Sequence, residues 1–393
     1  MIFLIIAIVL LLELFPYFSF LPYFTGDRTT FSIVYLGITA LSYIGMIRYL
    51  MSVRNNQEYY PYWSNVFVSF GFGWIVAKLL LIPILLIGDI GGYVISAKAN
   101  QFIDYAGAIA FLGLILFLVY GVVCGKYHFK TRRVEVTINN LPEAFNGFKV
   151  VQISDAHLGT FDSMSGFAKG IEAIKATNPD LLLFTGDLVN NLATEAEAYI
   201  EHFKALQAKH GKFAILGNHD YADYVAWSNE ADKQKNLDRL HEIHSEMGFQ
   251  LLDNEHVNIE NDGSNFYLAG IENWGLPPFP QHGDLEKALE GIPKNAATLL
   301  MSHDPSHWDA QVKKHPHDIA LTMSGHTHGM QFGIDLPFFK WSPVKFKYPK
   351  WAGLYTEGKK HLYVNRGFGF LGFPGRSGIR PEITELILRS ESA

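Results

Sequence analysis

Four apolar runs crowd the first 125 positions of this chain: Ile2–Tyr23, Thr30–Met51, Asn65–Ile90 and Phe102–Gly125. Each is long enough to cross the hydrocarbon core of a bilayer, which needs about 20 residues of helix. No other feature constrains the fold as strongly. Inside lipid every backbone N–H and C=O must find a partner within the protein, so runs of this length are restricted to helices. The polar stretches Thr25–Arg28, Ser52–Tyr62 and Gly91–Gln101 separate them. The first run has no basic residue ahead of it and no small-residue cleavage motif, so it reads as a span and not as a cleaved signal. Composition agrees: 18% of residues are charged, against about 25% in an ordinary soluble domain.

Four crossings return the chain to its starting side. That side carries Arg48, Arg54, Lys126, Lys130, Arg132 and Arg133 near helix ends, and the other carries only Arg28 and Lys98. The positive-inside bias therefore predicts an integral protein of the cell (inner) membrane with everything beyond residue 128 in the cytoplasm. Glu13 and Lys78 fall in the middle of the first and third runs. Charges at that depth usually pair or work, and one of each sign reads as a structural ion pair, the alternative being a headgroup site. The expected division is a four-helix transmembrane domain at 1–128 and a second domain at 129–393. A net charge of -6 gives no support for nucleic acid as a partner. The single cysteine, Cys124, excludes a disulfide framework or a cysteine-rich zinc site.

Beyond residue 128 the pattern changes. Phe148–Ser154, Leu181–Thr185, Phe213–Leu216, Thr298–Ser302 and Ile319–Ser324 read as buried strands. Between them, Phe167, Ile171 and Ile174 recur at helical spacing, as do Tyr199, Phe203 and Leu206, and Leu237, Leu240, Ile243 and Met247. Strand–helix alternation of this kind predicts a layered α/β domain.

The residues directly after each strand carry the chemistry. Asp155-Ala-His157 comes after the first, Gly186-Asp187 after the second, Gly217-Asn218-His219-Asp220 after the third, His303-Asp304 after the fourth and Gly325-His326-Thr327-His328 after the fifth. Ligand sites in α/β sheets lie beyond the carboxyl ends of strands, so these side chains converge. Imidazole, carboxylate and amide donors without thiolate suit Mn, Fe, Zn, Co or Ni. The donors exceed what one ion needs, and two divalent ions sharing a carboxylate would use them all. Two such ions form the usual clamp for phosphoryl chemistry. Gly186, Gly217 and Gly325 permit tight turns directly before the donors.

In this order the motifs resemble those of the calcineurin-like metallophosphoesterases, D-x-H, G-D, G-N-H-D/E, H and G-H-x-H. The chain is most similar to the YkuE/YaeI-like membrane-anchored subgroup, over about residues 133–390, including Leu362-Tyr-Val-Asn-Arg366-Gly and Arg380-Pro-Glu-Ile383. The resemblance implies a four-layer α/β/β/α sandwich behind the transmembrane helices. It implies Asp155, His157 and His328 on one metal, Asp187 bridging, and Asn218, His303 and His326 on the second. His219 would protonate the leaving group, and Asp220 would orient its ring. The chain departs from the family at Asn190, where a carboxylate is common, and at Met330, where a glycine is common and methionine would narrow the phosphate pocket. The other histidines, among them His202, His210, His241, His244, His315 and His317, are expected at the surface.

The expected function is hydrolysis of a phosphoester or phosphoanhydride. A phospholipid or lipid-linked substrate is the leading class, because four helices exceed what tethering requires. UDP-diacylglucosamine pyrophosphohydrolases within the family make a nucleotide-linked lipid one form of it. Phe338-Phe-Lys340-Trp-Ser-Pro-Val-Lys345-Phe-Lys347-Tyr-Pro-Lys350-Trp interleaves aromatics with lysines, as a headgroup-binding segment does, the alternative being a segment that, like a comparable one in the subgroup it resembles, simply packs beside the site. Lys345, Lys347 and Lys350 are therefore expected near the substrate phosphate or the bilayer. Pro277-Pro-Phe279-Pro reads as a rigid loop. The competing readings are a tethered hydrolase of soluble phosphoesters, a sensor or scaffold with a vestigial site, and a transporter-like domain with an appended phosphatase.

Overall fold

The computed structural model describes residues 2–21, 26–54, 62–94 and 97–391. Residues 22–25, 55–61 and 95–96, which take in the end of the first predicted run and parts of the three predicted interhelical loops, lie outside the described residues. The chain divides into two compact units, Met1–Cys124 and Gly125–Ala393.

The first unit is four helices: α1 (Ile2–Phe20), α2 (Arg28–Arg54), α3 (Tyr62–Val94) and α4 (Ala97–Val123). Among the described residues, Arg28–Ile47, Gly73–Ile90 and Phe102–Tyr127 are long and apolar enough to cross a membrane, and Leu11–Phe20 of α1 is a shorter apolar stretch. The two deep charges meet. The Glu13 carboxylate pairs with Lys78 and accepts hydrogen bonds from Tyr43 (2.9 Å) and Thr39 (3.1 Å). The Lys78 ammonium also lies 4.5 Å from the Trp74 ring centroid. Both charges have partners, which is the condition under which a buried ion pair is tolerated.

After α4 the chain runs β1 (Lys130–Ile138), β2 (Lys149–Ile153), α5 (Met164–Thr177), β3 (Leu181–Thr185), α6 (Ile200–Lys204), β4 (Lys212–Ile215), α7 (Glu230–Glu246), β5 (Gln250–Leu251), β6 (Glu255–Asn261), β7 (Ser264–Gly270), α8 (Leu285–Leu289), β8 (Thr298–Met301), α9 (Ser306–Ala310), β9 (Ile319–Ser324), β10 (Ile334–Leu336), β11 (Phe339–Trp341), β12 (Gly353–Glu357), β13 (Lys360–Val364) and β14 (Glu382–Ser390). Two six-stranded sheets result, ordered β1-β14-β2-β3-β4-β5 and β12-β13-β9-β8-β7-β6, with β10 and β11 forming a separate pair.

The alternation of side chains along a strand builds the layers. Leu181 and Leu183 of β3 and Phe213 and Ile215 of β4 face Phe266, Leu268, Leu299 and Met301 of the second sheet. Leu182, Phe184 and Ala214, one residue out of step, pack under Phe167, Ile171, Phe203 and Ile243 of α5 to α7. On the far side, Ala269, Leu300 and Val364 pack against Leu285, Leu289 and Trp308 of α8 and α9. Helices, two sheets and helices make the four layers of a metallophosphoesterase fold. Both faces of β3 and β9 are covered, so they are buried along their whole length and mostly apolar, with Thr185, Thr322 and Ser324 toward their carboxyl ends.

Two histidines expected at the surface are buried. His244 shares the inner face of α7 with Leu240 and Ile243, and burial lowers its pKa to about 3. His317 is held near the Thr298 hydroxyl at 3.2 Å.

Candidate metal centre

Parallel β2, β3 and β4 end side by side in the first sheet, and β8 and β9 do so in the second. Their carboxyl-end turns supply every donor anticipated from the sequence. Asp155, His157 and His328 form one cluster and Asp187, His303 and His326 another, with the ligand atoms of each cluster within 4.8 Å of one another. Asp187 stands between them: its Oδ2 is 3.1 Å from His303 Nε2 and 3.6 Å from His157 Nε2. Asn218 joins the second cluster, its Oδ1 2.8 Å from His326 Nδ1.

The backbone is bent to achieve this. Asp155, His157, Asp187, His326 and His328 all adopt left-handed φ, between 45° and 69°. For non-glycine residues this conformation is costly and concentrates at functional sites. Glycines let the turns close up. A Cβ at Gly217 would sit 2.2 Å from Asp187 Oδ1, and one at Gly325 would sit 1.9 Å from Ser154 Oγ and 2.2 Å from Asp155 Oδ2.

Outer contacts fix which nitrogen faces inward. His303 Nδ1–H donates to the Thr185 carbonyl at 2.7 Å, which leaves Nε2 toward Asp187. His326 turns Nδ1 inward and holds its Nε2 2.8 Å from the Tyr348 hydroxyl. Second contacts of this kind orient imidazole ligands.

Residues 148–330 match the calcineurin-like phosphoesterase family. The chain is 33% identical over 258 residues to the metallophosphoesterase YkuE of Bacillus subtilis, covering 64% of this chain and 82% of that protein. The chain belongs to the calcineurin-like metallophosphoesterase family. It is also 31% identical over 281 residues to the transmembrane protein with metallophosphoesterase domain of Danio rerio, covering 69% of this chain and 60% of that protein. It is 28% identical over 277 residues to the UDP-2,3-diacylglucosamine pyrophosphatase LpxG of Chlamydia trachomatis, covering 58% and 81% respectively.

The donors of this metallophosphoesterase fit divalent cations. Burial pushes Asp155 up to about 7, against the favourable field of His303 and with the charge of Asp187 adding to it. Burial also opposes ionisation of Asp187, but His303, His219 and His157 outweigh it and hold that carboxyl well below the usual range. Burial lowers His157 to about 3 and His326 to about 4, so both are neutral and ready to donate a lone pair. Deprotonated nitrogens beside crowded, desolvated carboxylates are the arrangement that a divalent ion compensates.

The expectation that Asp220 orients the His219 ring is corrected. Asp220 turns inward and accepts hydrogen bonds from the backbone N–H groups of Asp187 (2.8 Å), Leu188 (2.9 Å), Val189 (3.3 Å) and Gly217 (2.8 Å). It clamps the Asp187 turn onto the Gly217 turn. The His219 ring instead donates Nδ1–H to the backbone carbonyl of Asn190 at 2.8 Å. The position where the family often has a carboxylate thus acts here through its main chain, which no residue identity could reveal. Met330 is 55% exposed. Lys350 is braced by Asp309 (3.0 Å) and Glu357 (3.3 Å).

Three further side chains frame the site. Tyr224 packs 4.6 Å from the His219 ring, and its hydroxyl accepts from Asn218 Nδ2 at 2.9 Å. Phe279, from the proline-rich loop, sets its ring edge-on 4.7 Å from His326. Lys347 lies 4.8 Å from the Phe279 centroid, so the two loops singled out in the sequence meet beside the second candidate cluster.

Asp220→Asn tests the clamp. Replacing one acceptor oxygen by an amide leaves buried N–H groups unpaired, at a cost of about 1–3 kcal/mol. Lower thermal stability and weaker metal retention are expected, measured by calorimetry and metal analysis. Full stability and metal content with an altered pH profile would restore the orienting role.

Proposed function

We propose that this protein is a membrane-tethered phosphohydrolase that uses two divalent cations to cleave a phosphoester or phosphoanhydride. The observation that carries the reading is the Asp187 carboxylate, whose Oδ2 faces the histidines of both clusters. Asp155, His157 and His328 would hold one ion, Asn218, His303 and His326 the other, and Asp187 both. Such ions, when bound, neutralise phosphate charge and lower the pKa of water toward about 7. His219 supplies the proton for the leaving-group oxygen. Its Nδ1–H is committed to the Asn190 carbonyl, so Nε2 is the nitrogen that carries and passes the proton. The same carbonyl stabilises the ring while it is protonated, the service a carboxylate gives in other sites.

Asp187→Ala should lose turnover and both ions. His219→Ala should keep both ions and lose about 100- to 10,000-fold in rate. That loss should shrink for substrates with good leaving groups. An ion missing from the His219 variant on metal analysis would make His219 a ligand and sink the assignment.

The proposed substrate class is a phospholipid or lipid-linked phosphate. Four helices exceed the need of an anchor, and a relative is named for cleaving a diacylated nucleotide sugar. Lys345 and Lys347 are exposed, and Lys347 reaches the Phe279 ring beside His326. Near an anionic surface each lysine is worth about 1 kcal/mol, so removing both should slow turnover of a phosphorylated lipid roughly thirtyfold. A small soluble ester should be little affected, and Lys350→Ala should not reproduce the difference. Equal losses on both substrates would favour a hydrolase of soluble esters that is merely tethered.

The proposed orientation is cytoplasmic, on the balance of six basic residues against two at the helix ends. An impermeant label directed to the C-terminus should react only after cells are opened. Labelling of intact cells would reverse the topology.

A further inference from the structure

Among the described residues of the phosphoesterase unit, nine large hydrophobic side chains are exposed, and six of them lie between 330 and 346: Met330, Ile334, Leu336, Phe338, Phe339 and Phe346. Four belong to the β10–β11 hairpin or its turn. In that hairpin Ile334 opposes Trp341, Asp335 opposes Lys340 and Leu336 opposes Phe339. Opposed residues share a face and successive residues alternate. One face therefore carries Asp335 and Lys340, and the other carries Ile334, Leu336, Phe339 and Trp341.

The polar face is fastened to the domain. Asp335 pairs with Arg132 and with Arg366 (3.4 Å), and Lys340 donates to the Ala352 carbonyl at 2.6 Å. The apolar face is left open, with Ile334 44%, Leu336 48% and Phe339 50% exposed, and the turn residue Phe338 is 87% exposed. Phe346, 80% exposed, comes next in the chain, between the exposed lysines Lys345 and Lys347. A concentrated apolar patch of this kind marks an interaction surface.

Its fastening indicates the partner. Arg132 stands nine residues beyond Val123, where α4 ends. Nine residues of chain reach at most about 32 Å. The hairpin is thus pinned to the residue that the chain itself keeps within that distance of the bilayer boundary. Aromatic side chains flanked by lysines match the boundary between acyl chains and anionic headgroups.

We propose that the β10–β11 hairpin, with Phe338 at its turn and Phe346 after it, inserts into the headgroup–acyl boundary of an anionic bilayer and seats the phosphoesterase unit there. The proposal rests on the membrane-tethered reading above and is independent of which substrate is cleaved.

The test uses the full chain reconstituted into bilayers of phosphatidylcholine and phosphatidylglycerol. In a Cys124→Ser background, an environment-sensitive fluorophore is placed through Phe338→Cys, and in a second protein through Glu242→Cys on α7. Expected is quenching of the probe at 338 by acyl-brominated lipid and shielding from aqueous iodide, with the reverse at 242. Iodide access at 338 equal to that at 242 would overturn the proposal. Shielding from both quenchers would also overturn it, since the hairpin would then be covered by protein, such as a second copy of the chain. In the same bilayers, Phe338→Ser with Phe346→Ser should slow hydrolysis of a phosphorylated lipid roughly tenfold or more and spare a soluble ester. Lipid quenching at 338 without any lipid hydrolysis would uphold the hairpin and defeat the lipid-substrate reading alone.

Discussion

The site depends on how the Asp187 carboxylate is held. Its Oδ2 faces His303 on one side and His157 on the other, and its Oδ1 accepts the backbone N–H of His219 at 2.9 Å. Neither oxygen could keep this position if the β3 turn were free to move. Asp220 prevents movement by taking four backbone N–H groups from two neighbouring turns. One buried carboxylate thus fixes another. Burial raises Asp220 to about 7 while those hydrogen bonds favour its charge, so the clamp is itself sensitive to its surroundings. The geometry of both clusters passes through this pair of aspartates.

The cost of that geometry lies in the backbone. Five of the seven proposed ligands occupy left-handed conformations that cost of order 1 kcal/mol or more each. Such strain persists only where the surroundings over-determine it. Here the surroundings are two sheets packed face to face, with Leu181, Leu183, Leu299 and Met301 fully buried at the interface. Gln152 crosses the same interface and donates to Thr185 (2.9 Å) and to the Ser324 carbonyl (2.9 Å), tying the ends of β3 and β9 together directly behind the ligands. The strands that carry the site are held in register from beneath, which leaves the turns no slack.

The same layering decides how much of the molecule is legible in the sequence. The five strands that precede the candidate ligands are legible because they are buried on both faces and so consist mostly of apolar residues, and the candidate ligands are legible because each comes directly after such a run. β6, β7 and β12 to β14 are not, since their faces alternate or their ends are polar. Roles that depend on direction are also hidden. His219 and Asp220 are neighbours, yet one side chain faces the site and the other faces the protein. Asn190 acts through a carbonyl that any residue would provide. Lys126, counted as a basic residue at the membrane edge, is buried against Asp162 at 2.6 Å. The count still bears on insertion, which acts on the chain before this pair forms.

The two units meet the same electrostatic demand in different ways. In the helical unit the Glu13–Lys78 pair answers itself, with Tyr43 and Thr39 donating further hydrogen bonds to the carboxylate. A pair whose two charges meet each other and further protein partners has the character of a structural contact more than of a transport path. In the phosphoesterase unit the buried carboxylates of Asp162 and Glu382 are likewise paired, with Lys126 and Arg366, whereas among the described residues Asp155 and Asp187 have only imidazoles as ionic partners. Asp155 has the backbone N–H of His326 at 2.8 Å and the His328 imidazole at 3.3 Å, and Arg376 behind His328 donates to the carbonyls of Gly369 (2.7 Å) and Arg366 (2.8 Å). Buried carboxylates without a compensating cation from the protein are unfavourable unless one is supplied from outside. The difference between a closed ion pair and an open set of donors is what separates the structural charge cluster from the candidate metal centre in this chain.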